Sequence, residues 1–318
     1  MVSSAGMYKF KTVKGNSSTS VGSVSSVEVL WESFGTSETP YVGDLVKNVS
    51  YSDGYIQFST PSTFREGNAV IAAKNSSGTI LWSWHIWLTD QPKGQTNYNN
   101  AGTMMDRNLG ATSANPGDVG ALGLLYQWGR KDPFLGSSSI SDDIVTKSTG
   151  TWPSAVTAST SKGNVDYATA NPMIFILGTE SSENDWHYSS RNNELWQSSK
   201  TIYDPCPVGW RVPDGGINGV WSKACGSYSE FDFPYDSSDE GMNFSGTFGS
   251  ASIIWYPASG YRSSSSGARG GVGYYGYYWS VTPYGKYAYS LSFYFDGLVF
   301  PSYGRSRASG QSVRCHQE

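Results

Sequence analysis

The sequence predicts an α+β protein in two parts. An all-β, immunoglobulin-like sandwich spans residues 1–92, and a larger unit over 93–318 combines two helices with short strands. Three observations carry this. The chain has 318 residues, more than one typical domain uses. Its patterning changes near residues 88–100, from short alternating runs between turn residues to a different grammar. Two stretches of the second part then carry helical spacing or a helix-start turn.

In the first part, SVEVLWESF (26–34), GYIQFST (54–60), NAVIAAK (68–74) and TILWSWHIWL (79–88) are separated by Gly, Asn, Asp and Pro, as in a small sandwich. In the last run Ile80, Trp82, Trp84, Ile86 and Leu88 share one face, with Leu81, Ser83, His85 and Trp87 on the other. DQPKGQTNYNN (90–100) reads as the linker. ALGLLYQWGRKDPF (121–134) predicts the first helix, with Leu122, Leu125, Tyr126 and Gly129 at helical spacing and Pro133 near its stop. The Ser/Thr-rich stretch 136–165 reads as loop, and a second helix is expected across VWSKACGSY (220–228), after VPDGG. From Trp255 onward, glycine and tyrosine punctuate short strands.

Polarity comes from Ser, Thr, Asn and Gly more than from charge, since only 15% of residues are charged and the formal net charge is −4. With no Lys/Arg run there is no electrostatic footprint for nucleic acid or an anionic membrane, and neither partner is expected. No stretch approaches the ~20 apolar residues of a membrane-spanning helix. The opening MVSSAGMYKF lacks the apolar core of a leader peptide.

Catalytic and metal-binding readings find little support. His85 lies in a Trp-rich strand and His316 in the tail. In ENDWHY (183–188) Glu183, Asp185 and His187 alternate, but a calcium site needs about six to eight oxygen ligands, and a turn before a packed Trp186 explains the run equally. Asp142–Asp143 and Asp239–Glu240 read as solvated loop charges. Cys225 reads as a small buried hydrophobe, because Lys223 is the one basic residue near it. No catalytic residue, metal or cofactor is expected.

DRNLGATSA (106–114), LLYQWGRKDPF (124–134), IYDPCPVGWRVPDGG (202–216), YYWS (277–280) and SVRC (312–315), in this order, resemble the Fibrobacter-type major paralogous domain (FISUMP) of secreted and surface bacterial proteins. The resemblance covers roughly residues 98–318 and implies a C-type-lectin-like fold, two helices beside a small, looping, mostly antiparallel sheet whose termini meet. It also implies a disulfide between Cys206 and Cys315, with two buried free thiols as the alternative. The layout is similar to that of formylglycine-generating enzymes too, but their cysteine and metal positions find no match here.

The segment Trp279–Cys315 is rich in Tyr, Ser, Gly and Phe. From Tyr287 to Phe295, Tyr287, Tyr289, Leu291, Phe293 and Phe295 fall on an inward face, while Ala288, Ser290, Ser292 and Tyr294 look outward. Tyrosine offers rigid contact area with one polar handle, and Ser and Gly add adaptable hydrogen bonding, the alphabet of a paratope. Irregular β structure in a low-charge protein has the same composition.

The ending resembles the variable C-terminus of diversity-generating retroelement proteins. The fixed frame would comprise Trp279, Ser280, Thr282, Pro283, Ala288, Tyr289, Leu291, Phe293, Pro301, Arg307, Ala308 and Gly310, with Lys286 and Phe295 as departures. The resemblance implies that Tyr274, Tyr275, Tyr284, Tyr287, Ser290, Ser292, Tyr294, Phe300, Tyr303, Ser306 and Ser309 are the variable, ligand-binding positions. The expected function is a non-enzymatic, extracellular adhesin or receptor-binding protein on a cell or phage surface. Its partner would be a protein or glycan on a cell surface. A fimbrial tip or stalk subunit and a relative of the formylglycine-generating enzymes are the alternatives.

Overall fold

Alternation organises the first ninety residues of the computed structural model, which describes residues 1–180, 182, 184–188 and 191–318. Ser26–Ser33, Gly67–Lys74 and Ile80–Leu88 form one antiparallel sheet, and Met7–Lys11, Tyr55–Ser59 and Lys47–Ser52 form another. Phe34, Leu45, Ile56, Phe58, Ile71, Ile86 and Leu88 fill the core that both sheets share.

The central strand of the first sheet, Gly67–Lys74, is buried on both faces. Trp31, Val70 and Trp87 leave the sandwich core and join Met105, Leu109, Trp128, Cys206 and Cys315 in a second one. Polar contacts seal the joint: Asn68 Nδ2 donates to the Gly110 carbonyl at 2.8 Å, and Trp87 Nε1 to that of Ala111 at 2.9 Å. Ser83 Oγ donates to Asp132 Oδ1 at 2.6 Å, and Lys131 forms a buried ion pair with the same oxygen at 2.6 Å. Ser83 and Trp87 therefore face protein, not water.

The expected α+β character of the second part is overturned, and the lectin-like arrangement of two helices with it. The chain is 36% strand and 5% helix, so the fold is predominantly β. Among the described residues the α-helices are Val165–Ala170 and Val220–Cys225, six residues each. The segment 121–134 is not a helix. Gly123 and Gly129 hold φ of +71° and +82°, a left-handed backbone that ends any helix there, and Leu125–Gln127 is a strand paired with Gly310–Ser312. The apparent helical spacing arises because Leu124 through Trp128 are all buried, so the apolar pattern carries no single period. Val165–Ala170 instead begins at the last residue of the stretch read as loop, capped by Asn164, whose side chain accepts from the Tyr167 N–H at 2.8 Å. Val220–Cys225 stops three residues short of the expected end because Gly226 turns left-handed at φ +72°.

An eight-stranded sheet dominates the second part. Its order is Phe231–Asp232, Leu298–Ser306, Tyr287–Tyr294, Tyr275–Tyr284, Ser259–Arg262, Gly310–Ser312 and Leu125–Gln127, with Arg269–Val272 also paired to Ser259–Arg262. The tail strand His316–Gln317 pairs with Trp210–Arg211 and Thr103–Met105. Just before it, Cys315 is bonded to Cys206, with an S–S distance of 2.06 Å and both residues in the core that joins the two parts.

Candidate functional site

Three neighbouring strands, Tyr275–Tyr284, Tyr287–Tyr294 and Leu298–Ser306, set side chains in cross-strand rows. On one face the register aligns Tyr278 with Leu291, and Gly276 with Phe293 and Val299. This face is core, packed with Trp221, Phe244 and Tyr256. On the other face Tyr275 lies beside Tyr294, Tyr277 beside Ser292 and Phe300, Trp279 beside Ser290 and Tyr303, and Ala288 beside Arg305.

That second face borders an open groove of about 820 Å³. Among the described residues, eight tyrosines line it: Tyr261, Tyr275, Tyr277, Tyr284, Tyr287, Tyr289, Tyr294 and Tyr303. The rings brace one another. Tyr275 and Tyr277 stack at 5.7 Å, Tyr275 meets Tyr294 edge-on at 5.5 Å, and Tyr284 stacks on Tyr289 at 4.6 Å. Such mutual packing fixes the rings before a ligand arrives and reduces the entropy lost on binding.

Arg305 is held among these rings. Its guanidinium carbon lies 4.0 Å from the centre of Tyr277 and 4.7 Å from that of Tyr303. Its Nε donates to Ser292 Oγ at 3.3 Å and its Nη2 to Tyr294 Oη at 2.5 Å. Burial pushes the Tyr277 phenol well above its usual range, with Arg305 opposing, so the hydroxyl stays neutral at physiological pH. Gln311 and Ser302 line the groove, but their Oε1 and Oγ are turned away from solvent and have no hydrogen-bond partner among the described residues.

The end of the hairpin is clamped from below by Arg307, which is fully buried against Trp128. Its Nε donates to the Tyr287 carbonyl at 3.1 Å and its Nη2 to the Gly285 carbonyl at 3.2 Å and Asn193 Oδ1 at 2.8 Å. The turn carrying Tyr284 and Tyr287 thereby has a fixed seat.

Seven of the eleven expected binding positions line the groove: Tyr275, Tyr284, Tyr287, Tyr294, Tyr303, Ser306 and Ser309. Tyr274 lies outside it, half exposed and edge-on to Phe295 at 5.4 Å. Phe300 backs the wall against Tyr294 and Tyr303. Ser290 and Ser292 correct the expectation of an outward face, since both are 0% exposed. They hydrogen-bond to each other at 3.1 Å, and Arg305 binds Ser292. Tyr287 and Tyr289, assigned inward by alternation, line the groove, and Phe295 is exposed beyond the strand end. Sequence reasoning misses Tyr261, Tyr277, Tyr289, Ser302, Arg305 and Gln311. Strand parity with Tyr303 marks Arg305, whereas nothing in the local pattern marks Gln311.

The other candidates take structural roles. Asp185 Oδ1 accepts from the His187 backbone N–H at 3.0 Å, and burial raises the Asp185 carboxyl to about 6 against the pull of that bond and of Arg307. Glu183 lies outside the described residues, and among those described no three His, Cys, Asp or Glu side chains gather as metal ligands. Trp186 is buried, its Nε1 donating to the Trp128 carbonyl at 2.7 Å. Cys225 is half-buried and free, and burial raises its thiol, the opposite of what a nucleophile needs. A second cleft of about 400 Å³, between the sandwich and residues 202–208, is lined by Phe10, Trp82, Trp84, Ile202 and Val208 together with Lys9, Lys11, Lys131 and Asp204. No family model matches the chain, and no curated protein or solved structure matches it.

Proposed function

We propose that this chain is a non-enzymatic ligand-binding protein that acts at an extracellular surface through the tyrosine groove, and that the groove is rewritten by retroelement mutagenesis. The observation that carries the reading is the groove itself, with eight braced tyrosines around one arginine and serine at the margins. Rigid aromatic rings give large contact area at low entropic cost and anchor most of the binding energy of such interfaces. The buried joint to the sandwich gives this surface a stiff base.

Replacing Tyr284, Tyr294 and Tyr303 together by Ala is expected to abolish adhesion to a target surface while the far-ultraviolet circular dichroism is retained. Unchanged adhesion overturns the reading. Diversification has its own test in the gene. Ser290, Ser292, Ser306 and Ser309 should use AGY codons, one base from asparagine, with an adenine-richer near-copy beside a reverse transcriptase gene. TCN codons at these serines overturn that part alone.

A further inference from the structure

Three features of the groove narrow the chemistry of what it holds. The first is charge. Among the described lining residues Arg305 is the one formal charge and no carboxylate is present. Its Nε and Nη2 are engaged by Ser292 and Tyr294, while Nη1 makes no hydrogen bond and Arg305 has no ion-pair partner among the described residues. A guanidinium fixed by stacking, with one free edge, is preorganised for a carboxylate brought by a ligand.

The second feature is the wall. Tyrosine rings offer flat apolar faces with hydroxyls at the rim, a surface that matches a ring bearing C–H groups on its face and hydroxyls at its edge. The third is the unsatisfied acceptor. Gln311 Oε1 is closed to solvent without a partner, and Ser302 Oγ shares that condition. Such atoms carry a desolvation cost that a ligand donor relieves. A hydroxyl on a rigid ring serves Gln311 Oε1 without the ordering cost of an extended chain.

We infer that the groove takes an acidic saccharide, in which the sugar carboxylate pairs with Arg305 Nη1, the ring lies on the tyrosines, and the Gln311 amide turns toward the groove so that a hydroxyl donates to its Oε1. This rests on the groove being the binding site proposed above.

The test is calorimetric titration of the whole protein with trigalacturonic acid, sialyllactose, their neutral counterparts galactotriose and lactose, and an oligoglutamate peptide. At least one acidic sugar is expected to bind at least about tenfold more tightly than its neutral counterpart, the strength of one charge-assisted pair, and added salt should weaken it. Arg305→Gln should erase that preference, and Gln311→Leu should weaken binding of the same sugar about tenfold. Thermal melts of both variants establish that they fold. Equal binding of acidic and neutral sugars, preference for the peptide, or no sugar binding at all overturns the inference. In each of those cases surface adhesion that is lost in the triple tyrosine variant leaves the groove as the binding site, whereas adhesion unaffected by that variant removes the site as well.

Discussion

The Arg305 guanidinium lies 4.0 Å from the centre of the Tyr277 ring, although the strand Tyr287–Tyr294 runs between the strands that carry them. Ser292 and Ala288 are the cross-strand neighbours of Tyr277 and Arg305 on the intervening strand. Their small side chains leave the path across it open, and the Ser292 hydroxyl anchors the arginine that takes it.

A bulky side chain at position 292 should therefore expel Arg305. Ser292→Leu is expected to cost about 1–3 kcal/mol, the usual penalty for overpacking a fully buried site. Ser292→Ala removes the hydrogen bonds to Ser290 and Arg305 and should cost about 1–2 kcal/mol. Urea denaturation gives both values, and the near-ultraviolet dichroism of the tyrosines should change only in the leucine variant. A leucine variant as stable as the alanine one would show that the floor is not closed over this residue.

The bond between Cys206 and Cys315 closes a span of 109 residues. Chain entropy alone puts such a cross-link near ~4–5 kcal/mol, and native disulfides commonly deliver about 2–5 kcal/mol. The double variant Cys206→Ala, Cys315→Ala should lose that much in urea denaturation, and a reducing agent should destabilise the parent but not the variant. A loss below about 1 kcal/mol would mean that core packing holds the tail strand without the bond.

His85 makes acid stability predictable. Asn68 Nδ2 donates to the Gly110 carbonyl, so its Oδ1 faces His85 Nε2 at 2.8 Å and requires the proton there. Burial pushes the imidazole down to about 3. The folded state thus stays neutral where the unfolded chain takes up a proton, and the stabilising contribution is full above pH ~6.5 and falls as pH drops toward 3. The slope from this residue is at most about 1.4 kcal/mol per pH unit. His85→Gln should flatten the fall in urea-derived stability between pH 6 and pH 4 relative to the parent. Parallel curves for the two proteins would refute the assignment.

Much of the first part is legible in the sequence because each strand there alternates or is bounded by turn residues. The run 79–88 appears as Ile80–Leu88, with Ile86 and Leu88 in the sandwich core. What the pattern does not reveal is that its other face is also covered, by Trp128 and its neighbours. Serine and histidine on a strand read as solvent-facing unless the partner that buries them is known. The segment 121–134 is misread for a related reason. When Leu124 to Trp128 are buried on every side, apolar spacing no longer reports a period.

The groove shows the same division. Composition points to the last fifty residues, and the resemblance to retroelement variable proteins singles out Tyr275, Tyr284, Tyr287, Tyr294 and Tyr303, which line the groove, and Tyr274, which does not. Residue order is enough to establish where tyrosine is concentrated and which cysteines are available to hold the tail. It took the assembled strands to make Ser290 and Ser292 the floor, to bring Tyr261, Tyr289 and Gln311 into the lining, and to leave Arg305 among the rings without an ion-pair partner among the described residues. The physical reason is that burial and charge pairing depend on which strands lie side by side and in what register, and that register comes from contacts between segments far apart in the chain.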